Sequence, residues 1–126
     1  MQSALILIVG SNTPLLSARN VILRSAGYRT VSLFSINEAA EKCLKGDFDL
    51  ILLDSSLPAK DRDRLLSLMR TRSSHTPVLC IAPQYDREPA GFCETVEGDP
   101  VELRIGVRNA IAAAGQKHAR FLVMEP

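Results

Sequence analysis

The sequence predicts an α/β fold: a doubly wound, five-stranded parallel sheet of strand order 2-1-3-4-5. Three observations lead there. The continuous apolar run at residues 4–9 and the apolar-rich stretches 49–53 (DLILL) and 78–82 (VLCIA) read as strands buried on both faces. Stretches of helical period separate them. Glycine, proline and capping residues stand at the joints. Strand and helix in alternation imply a parallel sheet covered on both sides, and right-handed crossovers leave few topologies for it.

The elements follow in order. The run ALILIV, residues 4–9, is the first strand. Thr13 before Pro14 reads as an N-cap with proline at the first helical position. Leu15, Ala18, Ile22 and Ala26 then recur on one face, and Gly27 supplies the stop. Residues 29–34 are β-branched and apolar, a second strand. Ser35 with Glu38 forms a capping box for a helix over 36–45, with Ile36, Ala39, Ala40, Cys43 and Leu44 inward and Gly46 at its end. Residues 49–53 are the third strand, and Leu65, Leu68 and Met69 mark a helix over 60–71. Pro77 precedes the fourth strand, 78–82, and a weaker fifth spans 91–96. Asp99 and Pro100 open the last helix, with Val101, Leu103, Val107, Ala110, Ile111 and Ala114 inward.

In a sheet of this order the switch point lies between strands 1 and 3, at their C-terminal ends. Gly10, Ser11 and Asn12 stand on one side of it and Asp54 on the other. Any chemistry belongs there.

The chain of 126 residues, with 46% hydrophobic and 23% charged residues, is one ordinary globular domain. Its net charge of +1 excludes a bulk basic charge as a basis for nucleic-acid binding. The basic set Lys60, Arg62, Arg64, Arg70 and Arg72 lacks interleaved aromatics and reads as a solvated helix face. No apolar run is long enough to span a bilayer, and no basic region precedes the first, so neither an anchor nor a leader is expected. Cys43, Cys80 and Cys93 form no CxxC pair, which points to reduced core thiols and a cytoplasmic protein. His75 and His118 read as surface residues, and Ser55 and Ser56 have no base placed beside them, so a hydrolase triad has no support and no enzyme activity is expected.

The stretch FDLILLDSSLP, Phe48 to Pro58, resembles the acceptor segment of a response-regulator receiver domain. Receivers place an aspartate at the end of a buried third strand and a proline four residues on, and Asp54 and Pro58 match. ALILIVGSN, RSAGYRTV and DPVELRIGVRNAI are similar to the receiver's first strand, its first helix running into the second strand, and its last helix. The resemblance extends to about residue 114 and implies a flavodoxin-like fold, with Asp54 as the candidate phosphoacceptor.

The other signature positions depart from the pattern. Receivers carry acids after the first strand to hold a divalent cation; Gly10 and Ser11 stand there. They carry Thr or Ser at the end of the fourth strand, here Ala82, and lysine at the end of the fifth, here Val96 followed by Glu97. A phosphoryl group adds about −1.5 to −2 charge. In the complete site the cation and the lysine offset it. The resemblance therefore implies a degenerate, pseudo-receiver site with weak or no Mg²⁺ binding and no other cofactor. Only about eight residues, PQYDREPA, separate strands 4 and 5, so the fourth helix of the family is expected shortened or missing.

The expectation is a receiver-like domain of a two-component phosphorelay over residues 1–118, acting by protein–protein interaction. Its partner is a histidine kinase or a downstream signalling protein, with no nucleic acid or membrane, and a homodimer is open. Residues 119–126 form an apolar tail that packs over the gap left by the fourth helix or on a second copy. Two alternatives stand: a working response regulator phosphorylated on Asp54 by a histidine kinase, and a small module binding an anion or nucleotide at Gly10–Thr13. Without those alternatives, Asp54 is an inherited carboxylate held by backbone N–H groups or by Lys60.

Overall fold

The computed structural model describes residues 3–71, 75–82 and 94–124, with the side chains of residue 94 and of residues 116–124 outside that description. Its elements are β1 (Leu5–Val9), α1 (Thr13–Ser25), β2 (Arg29–Leu33), α2 (Ile36–Lys45), β3 (Leu50–Leu53), α3 (Ala59–Thr71), β4 (Val78–Ile81), β5 (Glu94–Val96) and α4 (Pro100–Met124). The strands form one parallel sheet in the order β2-β1-β3-β4-β5. Leu7 is in register with Val31 on one side and with Ile51 on the other.

Because side chains alternate along a strand, the central strands feed two cores. Ile6, Ile8, Leu50, Leu52, Leu79 and Ile81 face α1 and α4, meeting Leu16, Leu23, Leu103 and Val107. Leu7, Val9, Ile51, Leu53 and Cys80 face α2 and α3, meeting Ala39, Cys43, Leu65 and Met69. This two-sided burial is why those strands carry unbroken apolar runs. Gly106 lets α4 close on β5, since a Cβ there would run into the Val96 side chain.

Several expectations change in detail. The inward face of α1 is Leu16 and Leu23, while Ala18 and Ala26 are exposed. The sheet-facing stripe is turned by about one residue from the expected face, with Ile22 half-buried beside it and Arg19, Asn20 and Arg24 bonded to Asp54 and Thr30. The cap of α1 is Asn12, not Thr13: its side chain accepts the Leu15 amide at 3.0 Å. Leu44 and Val101, expected inward, are 41% and 52% exposed. Cys43 and Cys80 are buried core thiols, as expected.

The expected shortening of the fourth helix falls on residues 83–90, outside the described residues, as do Cys93 and the start of the fifth strand. The last helix begins where Asp99 accepts the Glu102 amide at 3.2 Å and continues in one piece through Met124.

Candidate functional site

Asp54 follows β3 directly. Its amide donates to the Val9 carbonyl at 2.8 Å, which continues the β1–β3 ladder by one bond. Its own carbonyl accepts the Leu57 amide at 3.0 Å and closes a turn. The carboxylate is thereby fixed at the C-terminal edge of the sheet, beside Gly10 and Ser11, as the strand order predicts.

Asp54 is one of two buried polar residues among those described. A carboxylate at that depth needs partners for both oxygens. Oδ1 accepts from Arg19 Nε at 3.0 Å. Oδ2 accepts from the Ser56 amide at 2.9 Å and from the Ser56 hydroxyl. An Asp side chain that takes the amide two residues on is a common turn device, so the local sequence DSS favours it.

Ser56 also ties the site to the start of α1. Its Oγ accepts the Ser11 amide at 3.0 Å and the Asn12 amide at 3.1 Å. The Ser11 hydroxyl donates back to the Ser56 carbonyl. The two amides that the Gly10–Thr13 turn would offer an anion are thus already donated to Ser56. Gly10 is required by closeness: a Cβ there would lie 2.9 Å from Asp54 Cβ, Leu16 Cδ2 and Ser56 Oγ.

Arg19 reaches the site from the sheet-facing side of α1, where it stands three residues after Leu16 and four before Leu23. Asn20 and Arg24 of the same helix bond Thr30, and Asn20 also bonds Ser32, which clamps α1 onto the edge strand β2. The second arm of Arg19, Nη1, donates to the Gly98 carbonyl at 3.3 Å.

Of the residues singled out from the sequence, the structure brings together Gly10, Ser11 and Asp54. Ala82 and Val96 are joined to each other instead, by a 2.8 Å bond from the Ala82 amide to the Val96 carbonyl. Val96 is half-buried against the α1–α4 core, and Glu97 is exposed. Lys60 is exposed, and the charge on Asp54 is met by Arg19. Arg19 and Ser56 are the site residues that sequence reasoning missed. The signal for Arg19 was a charge on an inward face, hidden by the misplaced α1 stripe. His75 is exposed; the side chain of His118 lies outside the description. Among the described residues no cluster of three His, Cys, Asp or Glu could hold a metal ion. Nor is any described helix long and apolar enough to cross a membrane.

A five-stranded parallel sheet of this order, with a buried aspartate at the end of its third strand, defines a receiver-type α/β domain. The profile of the response regulator receiver domain matches residues 6–96, and the chain belongs to that family of two-component signalling domains. Solved structures agree. The receiver domain of a sensor histidine kinase from Pseudomonas aeruginosa PAO1, solved with a magnesium ion in its active-site cleft, is 24% identical with a TM-score of 0.74, covering 88% of this chain and 99% of its own. A response regulator from Chloroflexus aurantiacus J-10-fl is 25% identical with a TM-score of 0.72 and the same coverages. A CheY-like receiver domain protein from Methanospirillum hungatei JF-1, at 17% identity and a TM-score of 0.72, covers 92% of this chain and 99% of its own. No curated protein matches the chain.

Proposed function

We propose that this chain is a receiver-like domain that signals through protein–protein contacts, with its acceptor carboxylate outside the usual Asp phosphorylation cycle. The observation that carries the reading is the enclosure of Asp54: its side chain is fully buried, Arg19 engages one oxygen, and the amide and hydroxyl of Ser56 engage the other. Attack on a phosphodonor needs a carboxylate oxygen free to approach phosphorus. Each oxygen here is engaged by a donor and the side chain is fully enclosed, so the site must open before a phosphodonor reaches it.

The donor set supports the same reading. Mg²⁺ demands an octahedron of oxygens and is held through carboxylates. Gly10 and Ser11 supply none, and the room a side chain at position 10 needs is filled by Asp54, Leu16 and Ser56. The residues present do not fit a Mg²⁺ site. Val96 and Ala82 offer neither the charge nor the hydroxyl that would hold an incoming phosphate. The partners in this reading are a histidine kinase or a downstream signalling protein of the cytoplasm, and a second copy is a further candidate.

A second reading, phosphorylation of Asp54 by a phosphohistidine partner, draws support from Arg19. A guanidinium pairs well with phosphate oxygens and already lies at the acceptor. Beryllofluoride with Mg²⁺ separates the two. Under the proposal the amide resonances of Ser11, Asn12 and Ser56 stay in place. Saturable shifts in wild type that vanish in Asp54→Asn would overturn it in favour of the second reading.

A further inference from the structure

We infer that Arg19 is a charge-dependent link that makes the loop between β5 and α4 respond to the state of Asp54. One guanidinium serves two distant parts of the chain. Nε donates to Asp54 Oδ1 at 3.0 Å, and Nη1 donates to the Gly98 carbonyl at 3.3 Å. Gly98 immediately precedes Asp99, the residue that starts α4. The Asp99 carboxylate accepts the Glu102 amide at 3.2 Å, and its carbonyl accepts the Leu103 amide at 2.8 Å. A single side chain of α1 therefore joins the end of β3 to the cap of the last helix.

The fit at the far end is close. A Cβ on Gly98 would stand 3.0 Å from Nη2 and 3.1 Å from Nη1 of Arg19. The guanidinium occupies the side of Gly98 where a Cβ would stand, so a side chain at this position would displace it.

The link holds only while Asp54 is charged. The Arg19 side chain is 11% exposed and that of Asp54 is fully enclosed. A guanidinium at such depth is stable because a carboxylate faces it. When Asp54 loses its charge, as in Asp54→Asn, Arg19 keeps only neutral carbonyl acceptors and no countercharge. Hydration then becomes the better state for the cation. Its withdrawal frees the Gly98 carbonyl, empties the space over the Gly98 α-carbon and loosens the cap of α4. Linkage makes the effect reciprocal: whatever moves the loop changes the surroundings of Asp54. The inference goes beyond the functional proposal, and it stands whether or not phosphate reaches Asp54.

Amide hydrogen exchange on the full chain tests it, in wild type, Asp54→Asn, Arg19→Lys and the double variant. Lysine keeps the charge, but its single nitrogen replaces two donors held apart by a rigid plane. Asp54→Asn should speed exchange at Glu102 and Leu103 by roughly fivefold or more, the lower range of allosteric couplings, while the Ala39 amide of α2 stays unchanged. In the Arg19→Lys background the same substitution should leave Glu102 and Leu103 nearly unaffected. Unchanged rates in Asp54→Asn, or an equal effect with and without Arg19, would overturn the inference. If an Arg19 variant fails to fold, Gly98→Ala displaces the guanidinium with both charges kept. There the Asp54→Asn effect should shrink, and an undiminished effect overturns the link.

Discussion

Arg19 Nε meets Asp54 Oδ1 at 3.0 Å beneath the C-terminal edge of the sheet, with the aspartate side chain fully enclosed. The cation that offsets the acceptor charge comes from the first helix of the chain. Val96, expected from the sequence to stand where the family has its lysine, is half-buried in the core. Ser56 completes the enclosure, bonded at once to Asp54 and to the amides of Ser11 and Asn12.

Breaking this pair from the arginine side leaves a buried carboxylate without its countercharge. Arg19→Met should lower stability by about 3 kcal/mol, the usual cost of orphaning one member of a buried ion pair. Chemical denaturation of wild type and variant measures it. An unchanged midpoint would mean that Ser56 alone suffices to hold Asp54.

Restoring an acid at position 10 should harm the domain. Gly10→Asp puts a Cβ where Asp54, Leu16 and Ser56 already lie at 2.9 Å, and adds a like charge. Gly10→Ala isolates the steric part, expected at about 1–3 kcal/mol, the range for overpacked sites. Thermal melts should rank wild type above Gly10→Ala above Gly10→Asp. A Gly10→Asp protein as stable as wild type, or stabilised by Mg²⁺, would contradict the closed site.

The start of α1 separates two neighbours. Asn12→Ala should cost about 1 kcal/mol, because its side chain caps the Leu15 amide. Thr13→Ala, inside the helix and exposed, should cost far less. Equal losses would return the cap to Thr13.

Burial pushes the Cys43 thiol up from 9.0 to about 11. Cys43 should therefore react slowly with thiol reagents at neutral pH in the folded protein and rapidly in denaturant. The folded state holds this proton more tightly than the unfolded chain. The contribution to stability is thus fully present below about 9 and is lost as pH rises through about 11. The melting temperature of wild type should fall relative to that of Cys43→Val across that window. A constant difference between them would contradict the shift.

The strand order was legible because the apolar runs at 4–9, 50–53 and 78–82 carry no charged residue where a two-sided sheet tolerates none. The place of Asp54 followed from the order. Its partners did not. The faces of α1 differ little in apolar content, since Leu15, Ala18, Ile22 and Ala26 compete with Leu16 and Leu23. Choosing the first set turned Arg19 outward on paper. Polar anchors made across the fold hold the helix in its observed rotation: Arg19 bonds Asp54, and Asn20 and Arg24 bond Thr30. The role of Ser56 depends on a crossing between two loops 45 residues apart, which no local pattern encodes.

The most direct test of the central claim is intact mass after treatment with acetyl phosphate and Mg²⁺, with wild type and Asp54→Asn side by side. A fully enclosed carboxylate held by Arg19 and Ser56 predicts the untreated mass for both proteins. A gain of one phosphate on wild type, absent from Asp54→Asn, would show that the site opens to phosphoryl transfer and contradict the account.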